Sequence, residues 1–297
     1  MDTRIKSLLK PELLSSLNGM ELIARIIVEG FMSGSNKSMS TGFGQEFAQY
    51  RGYEPGDDLR QLDWKMYARS ERYFVKQAEI ETNITVKLVL DASRSMAYAE
   101  SELTKFDYAR ILTAAVAYLA RKQGDAYGVS IVNGDKFTHV QPRFEHQHFI
   151  RVLSTLVNAN TSGVWKNSPE LENAIDHHRK EMIILFSDLY DDDGELLRFI
   201  KQLKTKRNEV IVFHIMGRNE RTLETSGNFT FQDLESGSTR RINVAAVRDT
   251  YRQKLEAWIN TTRDTFLERG IHYFLADMSS PVDEVLRSFI QVRKSLM

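Results

Sequence analysis

The chain has 297 residues, with 40 basic side chains balancing 40 acidic ones and no cysteine. Zero formal charge removes the global field that would draw a protein to nucleic acid or anionic lipid, and the missing thiols exclude disulfides, thiolate metal sites and thiol catalysis. The length is ample for one large or two modest domains.

Residues 1–10 carry no continuous apolar core of a signal peptide. The most nearly apolar stretch, Ile111 to Ala120, is about half as long as a membrane span requires. A cytoplasmic protein without a membrane span is therefore expected. Over residues 5–30, Leu22, Ile23, Ile26 and Ile27 alternate with Glu21, Arg25 and Glu29 at helical spacing. This predicts an amphipathic helix ended by Gly30, and the Ser- and Gly-rich run Phe31 to Gly44 reads as a loop. Next, Pro55-Gly56 makes a turn, Asp58 is placed to cap a helix with Gln61 completing a capping box, and Leu59, Leu62 and Met66 share a face. Charge concentrates here, on Arg51, Asp57, Asp58, Arg60, Asp63, Arg69 and Arg72. The first reading is a structural salt-bridge cluster and the second a docking surface.

The central stretch is Lys87 to Met96. Apolar, β-favouring residues end abruptly in Asp91, and Ser93 and Ser95 follow at alternate positions, as in a buried parallel strand that delivers polar groups to its C-terminal edge. Open α/β sheets bind ligands at that edge. One carboxylate and two hydroxyls on a single loop are hard oxygen donors suited to Mg²⁺ or Mn²⁺. A long helix over Thr104 to Lys122 and a strand over Tyr127 to Val132 come next. The turn Asn133-Gly134-Asp135 then makes Lys136 to Val140 an antiparallel edge strand. Helices are read at Phe149 to Leu156 and Leu171 to His177. His146 with His148, and His177 with His178, lie in stretches of helical polarity and are expected to face solvent. Glu181 to Asp188 repeats the central pattern, ending in Ser187 and Asp188 at the same edge, and Asp191, Asp192 and Asp193 suit the start of the following helix. A strand at Val210 to Ile215 precedes a β-hairpin, Asn228 to Asp233 with Arg240 to Val244. A helix from Val247, a strand at Ile271 to Leu275 and a helix opened by Pro281 close the chain. Strand alternating with helix implies a mainly parallel sheet covered on both faces.

The pentapeptide Asp91-Ala-Ser93-Arg-Ser95 resembles the start of the metal-ion-dependent adhesion site of von Willebrand factor A domains. Upstream, Arg51-x-Tyr53-x-x-Gly56-Asp57-Asp58-x-Arg60-x-x-Asp63-Trp64-x-x-x-Ala68-Arg69 resembles the motif of bacterial proteins known as domain of unknown function 58. These resemblances imply an α/β, von Willebrand A-like (Rossmann-like) domain over 83–297, with one antiparallel edge strand and a β-hairpin insertion. A small N-terminal α+β segment, 1–82, would pack on it. They also imply a cation, Mg²⁺ or Mn²⁺, held by Asp91, Ser93, Ser95 and Asp188. The family's third loop supplies a Thr where this chain has Pro169, which leaves Ser168 or Thr161 as the third-loop ligand. The implied role is non-catalytic and chaperone-like: a partner of a MoxR-type AAA+ ATPase in protein-complex assembly or maturation. The alternative is a Mg²⁺-dependent phosphoryl-transfer enzyme using Asp91 and Asp188. Aspartyl phosphotransferases of the haloacid dehalogenase type, however, need a second Asp where Ser93 stands.

Overall fold

The computed structural model describes residues 10–35, 49–52, 64–77, 84–134, 136–145, 147–175, 180–191 and 193–296. In chain order they form α1 (Pro11–Leu14), α2 (Leu17–Ser35), β1 (Gln49–Gly52), α3 (Trp64–Ser70), β2 (Phe74–Gln77) and β3 (Thr85–Asp91). Then come β4 (Ala99–Glu100), β5 (Leu103–Thr104), α4 (Lys105–Gln123), β6 (Ala126–Asn133), β7 (Lys136–Arg143), α5 (His148–Val157) and α6 (Pro169–Asn173). The rest is β8 (Glu181–Ser187), α7 (Glu195–Leu203), β9 (Glu209–Met216), α8 (Arg218–Thr222), β10 (Asn228–Gln232), β11 (Thr239–Asn243), α9 (Val244–Glu268), β12 (Ile271–Asp277) and α10 (Val282–Leu296).

Among the described residues the main sheet has six strands in the order β12-β9-β8-β3-β6-β7. All neighbours run parallel except β7, which pairs antiparallel with β6. This is the mainly parallel α/β sheet with one antiparallel edge strand that the sequence predicts, with β3 at its centre. The strands read as unbroken apolar runs because both faces are covered, and successive side chains divide between the faces. Val89, Ile183, Leu185, Val210 and Val212 pack with Leu196, Phe199 and Ile200 of α7 and Phe266 of α9. On the other face Phe186 stacks on Phe213 at 5.1 Å between ring centroids, and Phe213 and Phe274 both meet Phe289 of α10.

Contacts divide the chain into Met1–Gly34 with Ile84–Met297, and Ser35–Asn83. The N-terminal helix, grouped with residues 1–82 on sequence, thus belongs to the larger unit up to Gly34. Its apolar stripe explains this: Met20, Ile23, Ile27 and Val28 are buried. Tyr118 of α4 donates to Glu29 Oε1 at 3.3 Å, and Arg121 and Lys122 ion-pair with Glu21 and Glu29. Two details of the predicted helix differ. It is broken at Ser15-Ser16, where Ser16 Oγ accepts the Gly19 N–H and starts α2 afresh. It also runs through Gly30 to Ser35, since one interior glycine costs only about 1 kcal/mol against the burial of a whole apolar face.

In the smaller unit β1 pairs antiparallel with β2, setting Arg51 opposite Val75. The α3 helix carries an aromatic run in which Tyr67 stacks on Tyr73 at 4.5 Å and meets Trp64 edge-on at 6.3 Å. Trp64 and Arg69 are exposed. Tyr53, Gly56, Asp57, Asp58, Arg60 and Asp63 lie outside the described residues, as does the Arg51 side chain, so the predicted Asp58 cap lies there, with all of the predicted charge cluster except Arg69 and Arg72, which are exposed. Among the described residues no helix is long and apolar enough to cross a membrane.

Candidate functional site

The site grows from the C-terminal ends of β3 and β8, which are adjacent and parallel. Asp91 is the last residue of β3 and has no solvent exposure. Its Oδ1 accepts the Ser93 N–H at 2.9 Å and its Oδ2 accepts the Ser187 hydroxyl at 2.6 Å. The short 3₁₀ turn Arg94–Ala97 follows and brings Ser95 Oγ within 3.0 Å of Ser93 Oγ. Ser95 Oγ in turn donates to Asp188 Oδ1 at 3.2 Å. The residues Asp91, Ser93, Ser95 and Asp188, named from two distant stretches of sequence, therefore form one continuous cluster.

The third loop behaves differently. Ser162 N–H donates to Ala92 O and Arg94 N–H to Gly163 O, so residues 162–163 lie against the Asp91 loop. Gly163 has φ +64°, and a Cβ there would stand 2.7 Å from the Gly134 Cα. Gly163→Ala should therefore cost about 1–2 kcal/mol through backbone strain and overpacking; an unchanged urea midpoint would contradict this close approach. Thr161 is half-buried beside that contact. Ser168 is spent otherwise: its hydroxyl caps α6 by accepting the Leu171 N–H at 3.2 Å.

Three charged residues at the site carried no signal in the sequence. Lys105 opens α4, whose first turn is held by the capping box of Thr104 and Asp107. Its ammonium, almost fully buried, lies 2.9 Å from Asp188 Oδ2 and 2.6 Å from Glu220 Oε1. Glu220 on α8 also accepts the Gly217 N–H at 2.8 Å. Glu235, in the turn between β10 and β11, reaches Ser95 and has Asp188 and Asp91 as charged neighbours. On sequence Lys105 belonged to an ordinary helix start and Glu235 to an ordinary turn, because their partners are remote along the chain.

The electrostatics follow from this crowding. Burial first, and the Asp188 charge second, push Asp91 up to about 7 despite the hydrogen bonds from Ser187 and Ser93. Burial and the Asp188 charge likewise push Glu235 up to about 7. Burial works against the Lys105 ammonium, but Asp188 and Glu220 outweigh it and hold its pKa above the ordinary value. Glu220 is raised by burial, with Lys105 opposing. Close by on β9, fully buried His214 is lowered to about 4 chiefly by burial, and its Nδ1 lies 2.6 Å from the Tyr273 hydroxyl. His148 corrects an expectation: it is buried, with Nε2 2.8 Å from Tyr127 O, because it sits on the apolar face of α5. His146, His177 and His178 lie outside the described residues.

Among the described residues no group of three His, Asp or Glu side chains is gathered as a metal cage. The donor set is instead mixed, two hydroxyls with two carboxylates. These are hard oxygens that fit Mg²⁺ or Mn²⁺ with water completing the shell. Glu235 Oε1 is buried without a hydrogen-bond partner.

Beside the cluster opens a cavity of about 770 Å³ lined in part by Tyr190, Phe229, Phe231, Val247, Tyr251 and Trp258, with Ser95, Lys105 and Asp188 at its polar end. The first five of those apolar side chains are themselves exposed.

A family model described as "Protein of unknown function DUF58" matches residues 49–259. The uncharacterized protein Rv1480 of Mycobacterium tuberculosis (strain H37Rv) is 29% identical over 252 residues, covering 81% of this chain and 77% of its own. The uncharacterized protein Mb1516 of Mycobacterium bovis matches to the same degree. Among solved structures, the conserved hypothetical protein BatB from Bacteroides thetaiotaomicron superposes with a TM-score of 0.45 at 16% identity, covering 71% of this chain and 99% of that one. The SpRpn10 VWA domain gives 0.43 at 12% identity, covering 70% and 95%. Similarity of that degree leaves function untouched.

Proposed function

Since the chain belongs to the DUF58 family of proteins of unknown function, we propose that it is a non-catalytic cytoplasmic interaction module. Its partner would dock on the C-terminal edge of the sheet. The observation that carries this reading is the join of two features at one place: the Asp91, Ser93, Ser95 and Asp188 cluster, and a cavity walled by exposed aromatic side chains. Exposed apolar surface concentrated in one patch with a polar rim is characteristic of protein-binding sites. A divalent cation held by Asp91, Ser93, Ser95 and Asp188 would supply a positive centre able to attract a carboxylate of the partner. Burial, the Asp188 charge and the Lys105 ammonium on Asp188 then decide how readily that centre forms.

The partner we propose is a MoxR-type AAA+ ATPase, with the chain acting in assembly or maturation of protein complexes. Titration of the ATPase with wild type, with Asp91→Ala and with wild type plus EDTA tests this. Binding to wild type with a loss of at least about tenfold in the other two is expected, since a partner carboxylate left without its cation costs more than 1.4 kcal/mol. Equal affinity in all three would exclude a cation-bridged mode, and absence of binding throughout would remove the partner.

The phosphoryl-transfer alternative is weaker. A phosphotransferase of that kind needs a second carboxyl as proton donor two residues on, and that position is Ser93, whose hydroxyl is no acid near neutral pH.

A further inference from the structure

We propose that the groove between the N-terminal half of α9 and the β10–β11 hairpin receives a protein segment carrying large apolar side chains together with Lys or Arg. The inference rests on the docking site of the reading above, names the chemistry of what docks there, and does not involve the cation.

Helical spacing builds one wall and strand alternation the other. Val247, Tyr251, Leu255 and Trp258 share one face of α9, and all of them line the cavity. The buried side chains of α9 are Val244, Ile259, Thr262 and Phe266, so between Val244 and Ile259 the helix spends no side chain on the core. Trp258, half-buried and edge-on to His214 at 5.3 Å between ring centroids, marks the inner end. On the hairpin, Phe229 and Phe231 share a face, Ile242 is paired with Phe229, and all three line the same cavity. A hairpin whose apolar face served the fold alone would close on α9 and remove those rings from water. Instead Phe229 and Phe231 are 41% and 39% exposed, and Val247 and Tyr251 37% and 36%. Facing apolar walls left open to water mark a site that a partner's apolar surface fills.

The charge of the lining selects the occupant. Among the described residues the carboxylates of Asp188, Asp191, Glu220 and Asp233 line the cavity against the Lys105 ammonium alone. Lys105 is spent on Asp188 and Glu220, at 2.9 and 2.6 Å, which leaves Asp191 and Asp233. Neutral donors hold both. Asp191 Oδ2 accepts the Leu196 and Leu197 N–H groups at 2.7 and 3.3 Å. Asp233 accepts the N–H groups of Glu235 and Ser236 at 2.8 and 3.1 Å, and the Tyr190 hydroxyl at 3.1 Å. Such bonds fix a carboxylate and favour its ionised form without cancelling its charge; those from Ser236 and Glu235 hold Asp233 below its ordinary value. Arg248, next to Val247 on α9, is committed to Leu223 O and Thr225 O at 2.8 and 2.6 Å. An ammonium or guanidinium beside an apolar side chain therefore matches this lining, while a carboxylate beside Asp191 and Asp233 would meet like charge. Walls this exposed would leave much of a small molecule in water, whereas small-ligand sites enclose most of theirs. A chain segment fits the open shape.

The test is fluorescence-anisotropy titration of the full chain, with EDTA present, against three labelled peptides of about 12 residues, a length that spans the α9 stripe as a helix. One sets Leu and Phe with Lys at helical spacing, one replaces each Lys by Glu, and one keeps the Lys but replaces Leu and Phe by Ser. The first should bind wild type on the order of tenfold more tightly than either of the others. Phe231→Ser, a change at an exposed position checked for fold by circular dichroism, should weaken that binding by about tenfold. Asp191→Asn combined with Asp233→Asn keeps an oxygen for each N–H donor and should bring the Lys and Glu peptides to similar affinity. A Glu peptide that binds as well as the Lys peptide, a Lys and Ser peptide that binds as well as either, or a Phe231→Ser protein that binds unchanged overturns the assignment. Displacement of the peptide by equimolar phenylethylamine would make the groove a small-amine site, and self-association of the free chain that Phe231→Ser abolishes would make a second copy the occupant; either overturns it too. Failure of every peptide on wild type removes this inference whatever the ATPase does. A Lys peptide that binds while the ATPase does not removes the partner named above and leaves the groove chemistry standing.

Discussion

At pH 8 and without divalent cations, Asp91→Asn should be more stable than wild type, by on the order of 2–4 kcal/mol. The folded protein holds the Asp91 carboxyl up at about 7, because burial and the neighbouring Asp188 charge both oppose its ionisation. In the unfolded chain the same group ionises near its ordinary 3.8. Below that pH both states are protonated and no penalty exists. Between about 4 and 7 only the unfolded state gives up its proton, so wild-type stability falls as pH rises. Above about 7 both states are ionised and the penalty is complete. Asparagine keeps an oxygen for the Ser93 N–H and never ionises, so its advantage should be absent near pH 4, grow to about pH 7 and then level off. Millimolar Mg²⁺ should stabilise wild type and narrow the gap, since a cation bound only by the folded state adds stability by mass action. Urea midpoints from pH 4 to 9 would measure this. A variant less stable than wild type at every pH would mean that the Asp91 charge is already compensated within the protein.

Lys105→Met should be the most destabilising single change at the site, costing about 3–5 kcal/mol at neutral pH. Methionine replaces the stem volume but leaves Asp188, whose side chain is 2% exposed, without its ammonium, and Glu220 loses its partner at 2.6 Å. The loss should shrink as the medium is acidified and the stranded Glu220 carboxylate, held above its ordinary value by burial, takes up a proton. It should also shrink in an Asp188→Asn background, where the difference between the two costs gives the coupling of the pair. Denaturant unfolding of the four proteins of that cycle is the measurement. A coupling near zero would show that Lys105 is held by packing, including its contact with the Tyr98 ring at 5.1 Å, and not by the carboxylates.

Much of the architecture was legible in the sequence because it is written in local periodicity. The unbroken apolar runs ending in Asp91 and Ser187 announced buried parallel strands, and Asn133-Gly134 announced the antiparallel turn into β7. The apolar stripe of Ile23 and Ile27 announced a helix, although not which unit it would join, since that depends on the surface α4 offers it. The same limit explains the site. Asp91, Ser93, Ser95 and Asp188 stood out because they end or directly follow two recognisable strands, and neighbouring parallel strands must bring their ends together. Lys105, Glu220 and Glu235 did not stand out because their meaning is relational: an ammonium becomes buried, and a carboxyl moves to about 7, only once segments far apart in sequence converge. Burial and charge proximity, the two quantities that set those properties, exist in the folded chain alone.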